Sequence, residues 1–279
     1  MILARGREVF MIVIKFGGEV AESPEGLGNL IHSVAELHRQ NQDIVLVHGG
    51  GPQATALSKR LNLGPKMVGG RRVTCAETLE VMKMTLPGVI NSNVLAMLHK
   101  FKLPGVSVSG IGVICANKRP PKTVSGSEGK VVDFGFVGDI VEIRPKYLQY
   151  LLAGRYIPVL SPLCSSDDGT ILNINADTVA VQIAQALKAT KLVLITQIGG
   201  VFEDINNIQS KYKTLSVSDA QEKIKNGTIK GGMIPKLEEG FKLLKGGLDS
   251  FHIVGIESPD TIQNEINLPG SRGTAIVRG

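Results

Sequence analysis

The chain has 279 residues, of which 43% are hydrophobic and 20% are charged, enough for one large α/β domain or two lobes. Its formal net charge of +6 is mildly basic, and no run of like charges marks a nucleic-acid-binding arm. Aromatic residues make up only 4%, which argues against proteins that stack single-stranded nucleic acid. Cys75, Cys115 and Cys164 form no C-x-x-C pair, and the apolar runs are too short to span a bilayer. We therefore expect a cytoplasmic protein without disulfides, a nucleic-acid partner or a membrane segment.

Short apolar runs alternate with helical segments along the chain. Runs rich in valine and isoleucine predict strands at residues 10–16, 43–47, 106–109, 156–160, 191–196, 250–255 and 273–277. Most of these runs are uniformly apolar, which is typical of parallel strands buried on both faces. Between the strands, apolar residues recur at helical spacing, as at Val179, Ile183 and Leu187. This alternation predicts an α/β fold with a mainly parallel central sheet between two layers of helices.

Two segments depart from the regular alternation. Residues 118–143 are polar and glycine-rich, and residues 131–143 predict an antiparallel hairpin that leaves the main sheet. The helix that carries Leu79, Met82 and Leu86 should be kinked by the Pro87-Gly88 pair. A soft boundary divides one continuous domain into an N-terminal lobe, residues 1–176, and a C-terminal lobe, residues 177–279.

Two glycine loops follow the first two predicted strands. The first, K-F-G-G at residues 15–18, places a cation and two unhindered amides at the carboxyl edge of the sheet, where α/β proteins bind ligands. The second, H-G-G-G-P-Q at residues 48–53, runs into a helix start and is suited to an anion. Neither loop has the spacing of a dinucleotide fingerprint or a P-loop. An ordinary turn between strand and helix is the simpler interpretation of the first loop, and His48 is better explained as a structural residue than as a base.

Three further motifs supply polar side chains. Arg72, in G-G-R-R-V-T, suits a carboxylate because its planar fork donates two parallel hydrogen bonds, although a solvated arginine pair explains the motif as well. The segment N-I-N-A-D at residues 173–177 could hold an acylated amino acid or simply cap a helix. In K-G-G-M-I-P-K, Lys236 lies in the first turn of a helix, where the dipole disfavours a cation, so a bound anion is expected there.

Taken together and in this order, the motifs resemble the amino-acid kinase family, and within it the members that act on N-acetylated glutamate. The resemblance runs from about residue 10 to residue 277 and also includes F-G-F-V-G-D-I and Y-I-P-V-L-S-P. It departs from the family at Gln197, where an aspartate usually follows the strand, and at residues 108–113, which lack the usual S-G-x-D-G pattern. Met11 stands where many relatives begin, so residues 1–10 are expected to be an extension.

The resemblance implies a role for each matching residue. It implies that Lys15 contacts the transferring phosphoryl group, that Lys236 contacts the leaving phosphate, and that Asp177 organises the two lysines. It implies that Gly50 and Gly51 lie beside the acyl amino acid. Arg72 would then bind the α-carboxylate of this substrate, and Asn173 and Asn175 would bind its remaining polar groups. On the nucleotide side, it implies contacts from Gly17, Gly18, Thr196, Gly200, Gly231 and Met233. No residue is expected to bind a metal directly.

The implied reaction transfers the γ-phosphoryl group of ATP to the side-chain carboxylate of N-acetyl-L-glutamate, a step of arginine biosynthesis. Mg²⁺ would be held through the nucleotide phosphates. Relatives with a longer N-terminal helix form hexamers, and only about nine residues precede the first predicted strand here, so a homodimer is expected.

Other functions remain open at this point. A kinase for a related carboxylate, such as a larger N-acylated glutamate or a carrier-bound aminoadipate, would carry the same motifs. A non-catalytic amino-acid sensor is disfavoured because Lys15 and Lys236 are both present. The absence of G-x-G-x-x-G disfavours a nicotinamide dehydrogenase.

Overall fold

The computed structural model describes residues 10–124, 126–248 and 250–279; most of the expected extension, residues 1–9, lies outside them. In chain order the strands are β1 (Met11–Phe16), β2 (Asp43–His48), β3 (Met67–Val68), β4 (Arg71–Arg72), β5 (Gly105–Ser109), β6 (Ile114–Lys118), β7 (Lys122–Thr123), β8 (Val131–Val132), β9 (Gly138–Ile143), β10 (Ile157–Ser161), β11 (Leu163–Ser165), β12 (Ile171–Asn173), β13 (Lys191–Ile195), β14 (Thr214–Ser216), β15 (Ser250–Val254) and β16 (Thr274–Val277). The α-helices are α1 (Gly18–Glu22), α2 (Pro24–Arg39), α3 (Gly51–Arg60), α4 (Ala76–Met84), α5 (Asn91–Lys100), α6 (Lys146–Ala153), α7 (Ala176–Ala186), α8 (Val217–Lys225), α9 (Met233–Lys245) and α10 (Thr261–Asn267).

Eight strands form the main sheet, in the spatial order β14-β16-β15-β13-β1-β2-β10-β5. All neighbouring pairs are parallel except β15 with β16. Four strands come from each half of the chain, and the halves meet where β1 pairs with β13. The mainly parallel α/β fold predicted from the sequence is confirmed.

The seven predicted main-sheet strands are present, each within about one residue of its predicted bounds. The eighth, β14, is a three-residue edge strand whose sequence T-L-S is too short to show a pattern. The antiparallel excursion is also present, but the strands within residues 131–143 pair with preceding segments rather than with each other. Strand β8 pairs with β7, and β9 pairs with β6 across a register shift.

Apolar side chains on both faces of the main sheet form two core layers. Val13, Val45 and Leu194 belong to one layer, together with α7 and α9, whose predicted apolar faces are indeed buried. Ile14 and Leu46 belong to the other layer, which α2 and the helix after β4 cover. Because successive side chains of a strand point to opposite faces, a uniformly apolar strand requires both layers.

Residues 76–100 form one continuous helical segment with an internal irregularity. A π-helical turn, Thr85–Ile90, joins α4 to α5 and contains the Pro87-Gly88 pair, so the predicted kink is a widened turn. Among the described residues, Ala76–Lys100 is the one helix long and apolar enough to cross a bilayer, and 44% of its apolar window is buried in the protein. Its apolar residues Leu86, Ile90 and Val94 pack in the core, as expected for a core helix.

A buried carboxylate holds the loop between α10 and β16. Glu265 is fully buried and accepts hydrogen bonds from the backbone N–H groups of Gly270, Arg272 and Gly273, at 2.7–2.9 Å. His252 Nδ1, equally buried, lies 2.8 Å from the same carboxylate. Burial alone would raise the pKa of Glu265, but these hydrogen bonds outweigh it and hold the pKa below the ordinary value.

We expect Glu265→Gln to lower the free energy of unfolding by about 2–3 kcal/mol, because an amide N–H₂ cannot accept from backbone donors. Since the pKa of Glu265 is lowered on folding, its contribution is complete above the ordinary carboxyl pKa and is lost as the pH falls. Urea titrations at pH 7 and pH 4 measure both effects. Glu222→Gln, at an exposed site, serves as the control. An unchanged urea midpoint at pH 7 for Glu265→Gln would contradict the stabilising role of the Glu265 carboxylate.

Candidate active site

Two clefts open at the carboxyl ends of the main-sheet strands. The larger one, called the basic cleft here, has a volume of about 670 Å³. Its lining includes Lys15, Gly17, Gly18, Glu19, Gly49, Gly50, Gly51, Arg71, Arg72, Arg119, Lys122, Asn173, Asn175, Asp177, Lys236 and Glu239. The smaller one, called the apolar cleft, has a volume of about 590 Å³ and lies beside the end of β13. The basic cleft brings together side chains from both halves of the chain.

Lys15 and Lys236 converge on one carboxylate. Lys15 Nζ lies 2.8 Å from Asp177 Oδ1, and Lys236 Nζ donates to Asp177 Oδ2 at 2.6 Å. The side chains of Lys15 and Asp177 are each only about a tenth exposed, at 10% and 11%. The two ammonium groups, 221 positions apart in the sequence, thus face one gap, as the sequence predicts.

The surroundings of Asp177 keep it ionised. Burial raises the pKa of this carboxyl, but the charges of Lys15 and Lys236 outweigh burial, and the pKa is lowered. Asp177 lies in the first turn of α7, where the helix dipole also favours an anion. Asn175 caps this helix, since its side-chain oxygen accepts from the Asp177 N–H at 2.7 Å. The capping interpretation of this motif therefore holds for Asn175, which also lines the basic cleft.

The two glycine loops lie side by side at the ends of β1 and β2. Gly49 N donates to the carbonyl oxygen of Phe16, and Gln53 Nε2 donates to that of Gly18, which ties the loops together. Gly50 is the N-cap of α3, so the free amides of this ten-residue helix begin at the cleft. Gly17, Gly18, Gly50 and Gly51 all line the basic cleft.

His48 lies behind the second loop and does not line either cleft. It is fully buried, with Nδ1 at 2.9 Å from the Gly49 carbonyl oxygen and Nε2 at 2.5 Å from Asn91 Oδ1. Burial lowers its pKa. These contacts agree with the structural interpretation of His48.

Arg72 reaches the cleft from a tight hairpin. Gly69 and Gly70 link β3 to β4 with φ of +54° and +74°, a conformation in which glycine is strongly favoured. The hairpin places Arg72 Nη2 within donating distance of the Gly51 carbonyl oxygen (3.1 Å) and of Thr55 Oγ1 (2.7 Å). Its Nη1 is buried without a hydrogen-bond partner, and burial lowers the pKa of the guanidinium. A buried donor without a partner indicates a place for an acceptor.

Asn173 enters the same cleft from the end of β12. Its Nδ2 lies 3.3 Å from Thr74 Oγ1, where it donates a hydrogen bond. The side-chain oxygen of Asn173 is left available to the cleft.

The apolar cleft contains three of the six predicted nucleotide residues. Thr196, Gly200 and Met233 line it, while Gly231 lies in the adjacent turn, with φ of +59°, and lines neither cleft. Its walls also include the apolar side chains of Ile198, Val201, Phe202, Ile205 and Ile229. Such a wall is suited to the flat face of an aromatic ring.

Sequence reasoning missed several residues of the clefts. Arg119, which is paired with Asp139 at 2.6 Å, and Lys122 line the basic cleft. Both lie in the polar segment after β6. The sequence did not show which strands in and around this segment pair with each other. Glu19 lines both clefts, and its position directly after Gly18 was a signal that could have singled it out.

The donor set bears on whether Mg²⁺ fits this site. Within the described residues no three His, Cys, Asp or Glu side chains cluster as a metal cage would require. Mg²⁺ commonly binds through substrate phosphates with one or two carboxylates, and both clefts have carboxylates in their lining. An ion carried by a nucleotide therefore fits, whereas an ion held by the protein alone does not.

Comparison with known proteins gives a consistent result. The model of the amino acid kinase family matches residues 10–255. An acetylglutamate kinase of Anaeromyxobacter sp. (strain K) is 42% identical over 268 residues, 95% of this chain and 98% of that protein. An acetylglutamate kinase of Methanocaldococcus jannaschii is 38% identical over 271 residues, 96% of this chain and 90% of that protein. The crystal structure of smu.665 from Streptococcus mutans UA159 has a TM-score of 0.78 at 27% identity, covering 96% of this chain and 99% of that one. The chain therefore belongs to the amino acid kinase family.

Proposed function

We propose that the chain catalyses the ATP-dependent phosphorylation of the side-chain carboxylate of N-acetyl-L-glutamate, giving N-acetyl-L-glutamyl 5-phosphate, a step of arginine biosynthesis. The observation that carries this proposal is the convergence of Lys15 and Lys236 on Asp177 beside two glycine loops. Support comes also from relatives named acetylglutamate kinase, which match 95% of this chain at about 40% identity.

The chemistry needs electrostatic stabilisation more than proton transfer. A carboxylate nucleophile with a pKa near 4.3 is already ionised at neutral pH, so no general base is required. The barrier comes from bringing an anion to a polyphosphate and from charge that shifts to the leaving group. Lys15 neutralises charge on the transferred phosphoryl group, Lys236 acts on the leaving phosphate, and Asp177 holds both ammonium groups in place.

The acyl amino acid would bind in the N-terminal part of the basic cleft, within residues 1–176. Arg72 is the group for the α-carboxylate, because its buried Nη1 lacks a partner. Asn173 offers its side-chain oxygen to the amide N–H of the acyl group, and Asn175 lies beside it. The amides of Gly50 and Gly51 face the reacting carboxylate and the phosphoryl group.

The nucleotide would bind mainly to residues 177–279. The apolar cleft receives the base, with Thr196, Gly200 and Met233 around it and Gly231 in the adjoining turn. The phosphates extend toward Gly17 and Gly18. Mg²⁺ carried by ATP would supply positive charge to the phosphate oxygens.

A larger N-acyl group is a second candidate for the substrate. Arg71, Arg119 and Lys122 line the basic cleft in addition to Arg72, so the cleft has more cationic groups than one α-carboxylate needs. An acyl group with its own carboxylate, such as N-succinyl, would use them.

We also propose a homodimer that works in the cytoplasm. Met84 and Val89, which are 48% and 51% exposed, lie five residues apart on the long helical segment. A second copy of the chain would cover them.

Purified protein supplied with ATP, Mg²⁺, N-acetyl-L-glutamate and hydroxylamine should form a hydroxamate, because hydroxylamine traps an acyl phosphate. We expect Lys15→Ala and Lys236→Ala to lower kcat by about 100-fold or more, the scale of losing one electrostatic donor. The exposed Lys245→Ala, on the same helix as Lys236, is the control. A loss of kcat of tenfold or less in both lysine variants would contradict the roles proposed for Lys15 and Lys236. Faster turnover of N-succinyl-L-glutamate than of N-acetyl-L-glutamate would favour the larger N-acyl substrate.

Arg72→Lys should raise the KM for N-acetyl-L-glutamate by about 10–100-fold, since an ammonium cannot replace two parallel hydrogen bonds to a carboxylate. The KM for ATP should stay within about threefold of the wild-type value. General misfolding would change both KM values, so a change in one of them alone points to the substrate contact. Steady-state kinetics with each substrate varied in turn measures it. The neighbouring exposed Arg71→Lys provides the comparison, and an equal effect of both variants would contradict the assignment.

Light scattering coupled to gel filtration should give the mass of a dimer for the wild-type chain, twice 29.8 kDa. Met84→Glu combined with Val89→Glu should give the monomer, because two buried charges would destabilise the interface. Tyr150→Glu, at an exposed site on α6, should leave the dimer intact. A wild-type monomer at micromolar concentration would rule out the proposed assembly.

A further inference from the structure

The basic and apolar clefts meet at two side chains. Among the lining residues, Glu19 and Lys236 are the ones that belong to both clefts. Lys236 is held by Asp177, whereas the side-chain carboxylate of Glu19 makes no hydrogen bond or ion pair with the residues that the structure describes. A phosphoryl group that passes from the nucleotide to the acyl amino acid must pass this junction, since the proposed binding regions lie on either side of it.

The carboxylate of Glu19 lies over the first glycine loop. A β-carbon built on Gly17 would overlap the Glu19 carboxylate, so the acid group occupies the space directly above that residue. Gly17 and Gly18 are the amides proposed for the nucleotide phosphates. A negative group without a counter-ion thus faces the same space as a highly negative ligand.

This arrangement opposes the binding of a bare polyphosphate, because two like charges in contact destabilise each other. A divalent cation between the carboxylate and the phosphates reverses the sign of the interaction. Mg²⁺ suits this position, because it binds phosphate oxygens together with one or two carboxylates and keeps several waters.

Other carboxylates near the clefts are less suited to this role. Asp177 is engaged by both lysines. Glu239 accepts from Lys242 through Oε1 at 2.8 Å, its Oε2 is buried without a partner, and it lines only the basic cleft. Asp204 accepts hydrogen bonds from Asn206, and Glu203 lines only the apolar cleft. Glu19 alone, among the described carboxylates that line the clefts, is both unpaired and at the junction. The side chain at the end of β13, Gln197, is neutral and contributes no charge.

We propose that Glu19 is the residue that selects metal-bound ATP over free ATP, by holding the divalent cation of the nucleotide on the protein side. The inference rests on the proposed use of ATP and adds a positioning role to a residue outside the family motifs described above. It makes the first glycine loop a site for a phosphate–metal complex rather than for phosphate alone.

The test is equilibrium binding of ATP by calorimetry, with Mg²⁺ and separately with EDTA, in the absence of any acyl amino acid. We expect the wild type to bind MgATP more tightly than free ATP, and Glu19→Gln to reduce that ratio of Kd values by about tenfold or more. Glu19→Asp should retain part of the ratio. In the presence of ATP, the Kd for Mn²⁺ measured by electron paramagnetic resonance should rise in Glu19→Gln by a similar factor.

Two further variants make the result specific. Glu22→Gln, on the same helix but exposed and outside both clefts, should keep the wild-type ratio. The proposal is overturned if Glu19→Gln leaves the ratio unchanged, if it tightens both forms of ATP equally, or if Glu203→Gln lowers the ratio instead. A wild-type chain that binds neither form of ATP would overturn the proposed function and this inference with it. Thermal unfolding of each variant separates these outcomes from loss of the fold.

Discussion

Asp177 is the constraint on which the proposed catalytic geometry depends. The ammonium groups of buried Lys15 and half-buried Lys236 would repel each other, and burying their charge without a partner would be costly. By accepting from Lys15 and Lys236, Asp177 links the end of β1 to the first turns of α7 and α9. The triad carries one unit of positive charge in excess. The site is therefore assembled before an anion arrives, and it remains attractive to one.

The topology explains why this triad forms where it does. The chain runs from β1 to β2 and continues on that side of the sheet, and it later returns to β13 on the opposite side of β1. The strand order thus reverses at β1, and in open α/β sheets the crevice at such a reversal is where ligands bind. Lys15 lies in β1 itself, and the first glycine loop follows it directly. Each half of the chain can then contribute one lysine to a common gap, Lys15 from β1 and Lys236 from α9.

The sequence predicted the fold well, because buried parallel strands have strong local patterns. Its glycine-loop motifs also identified residues that line the clefts, although their roles stay predictions. Strand β14 and the pairing of β7 with β8 were missed, because strands of two or three residues have no periodicity. The pairing of β9 with the five-residue strand β6 was missed because the partner of a strand depends on the tertiary fold. Arg119 reaches the cleft only through that pairing. The sequence also could not show that Glu19 folds over the first loop, because the orientation of a side chain depends on its tertiary surroundings.

The π-helical turn connects the long helix to the second glycine loop. A β-carbon at Gly50 would overlap the side chains of Leu86 and Ile90, both of which lie in this turn. Just beyond it, Asn91 contacts His48 and also donates to Ser107 Oγ at 2.6 Å. A regular helix would have a different number of residues per turn here and would rotate either the apolar pair or Asn91 away from the loop. The widened turn thus allows one helix to pack against Gly50 and to hold His48 at the same time.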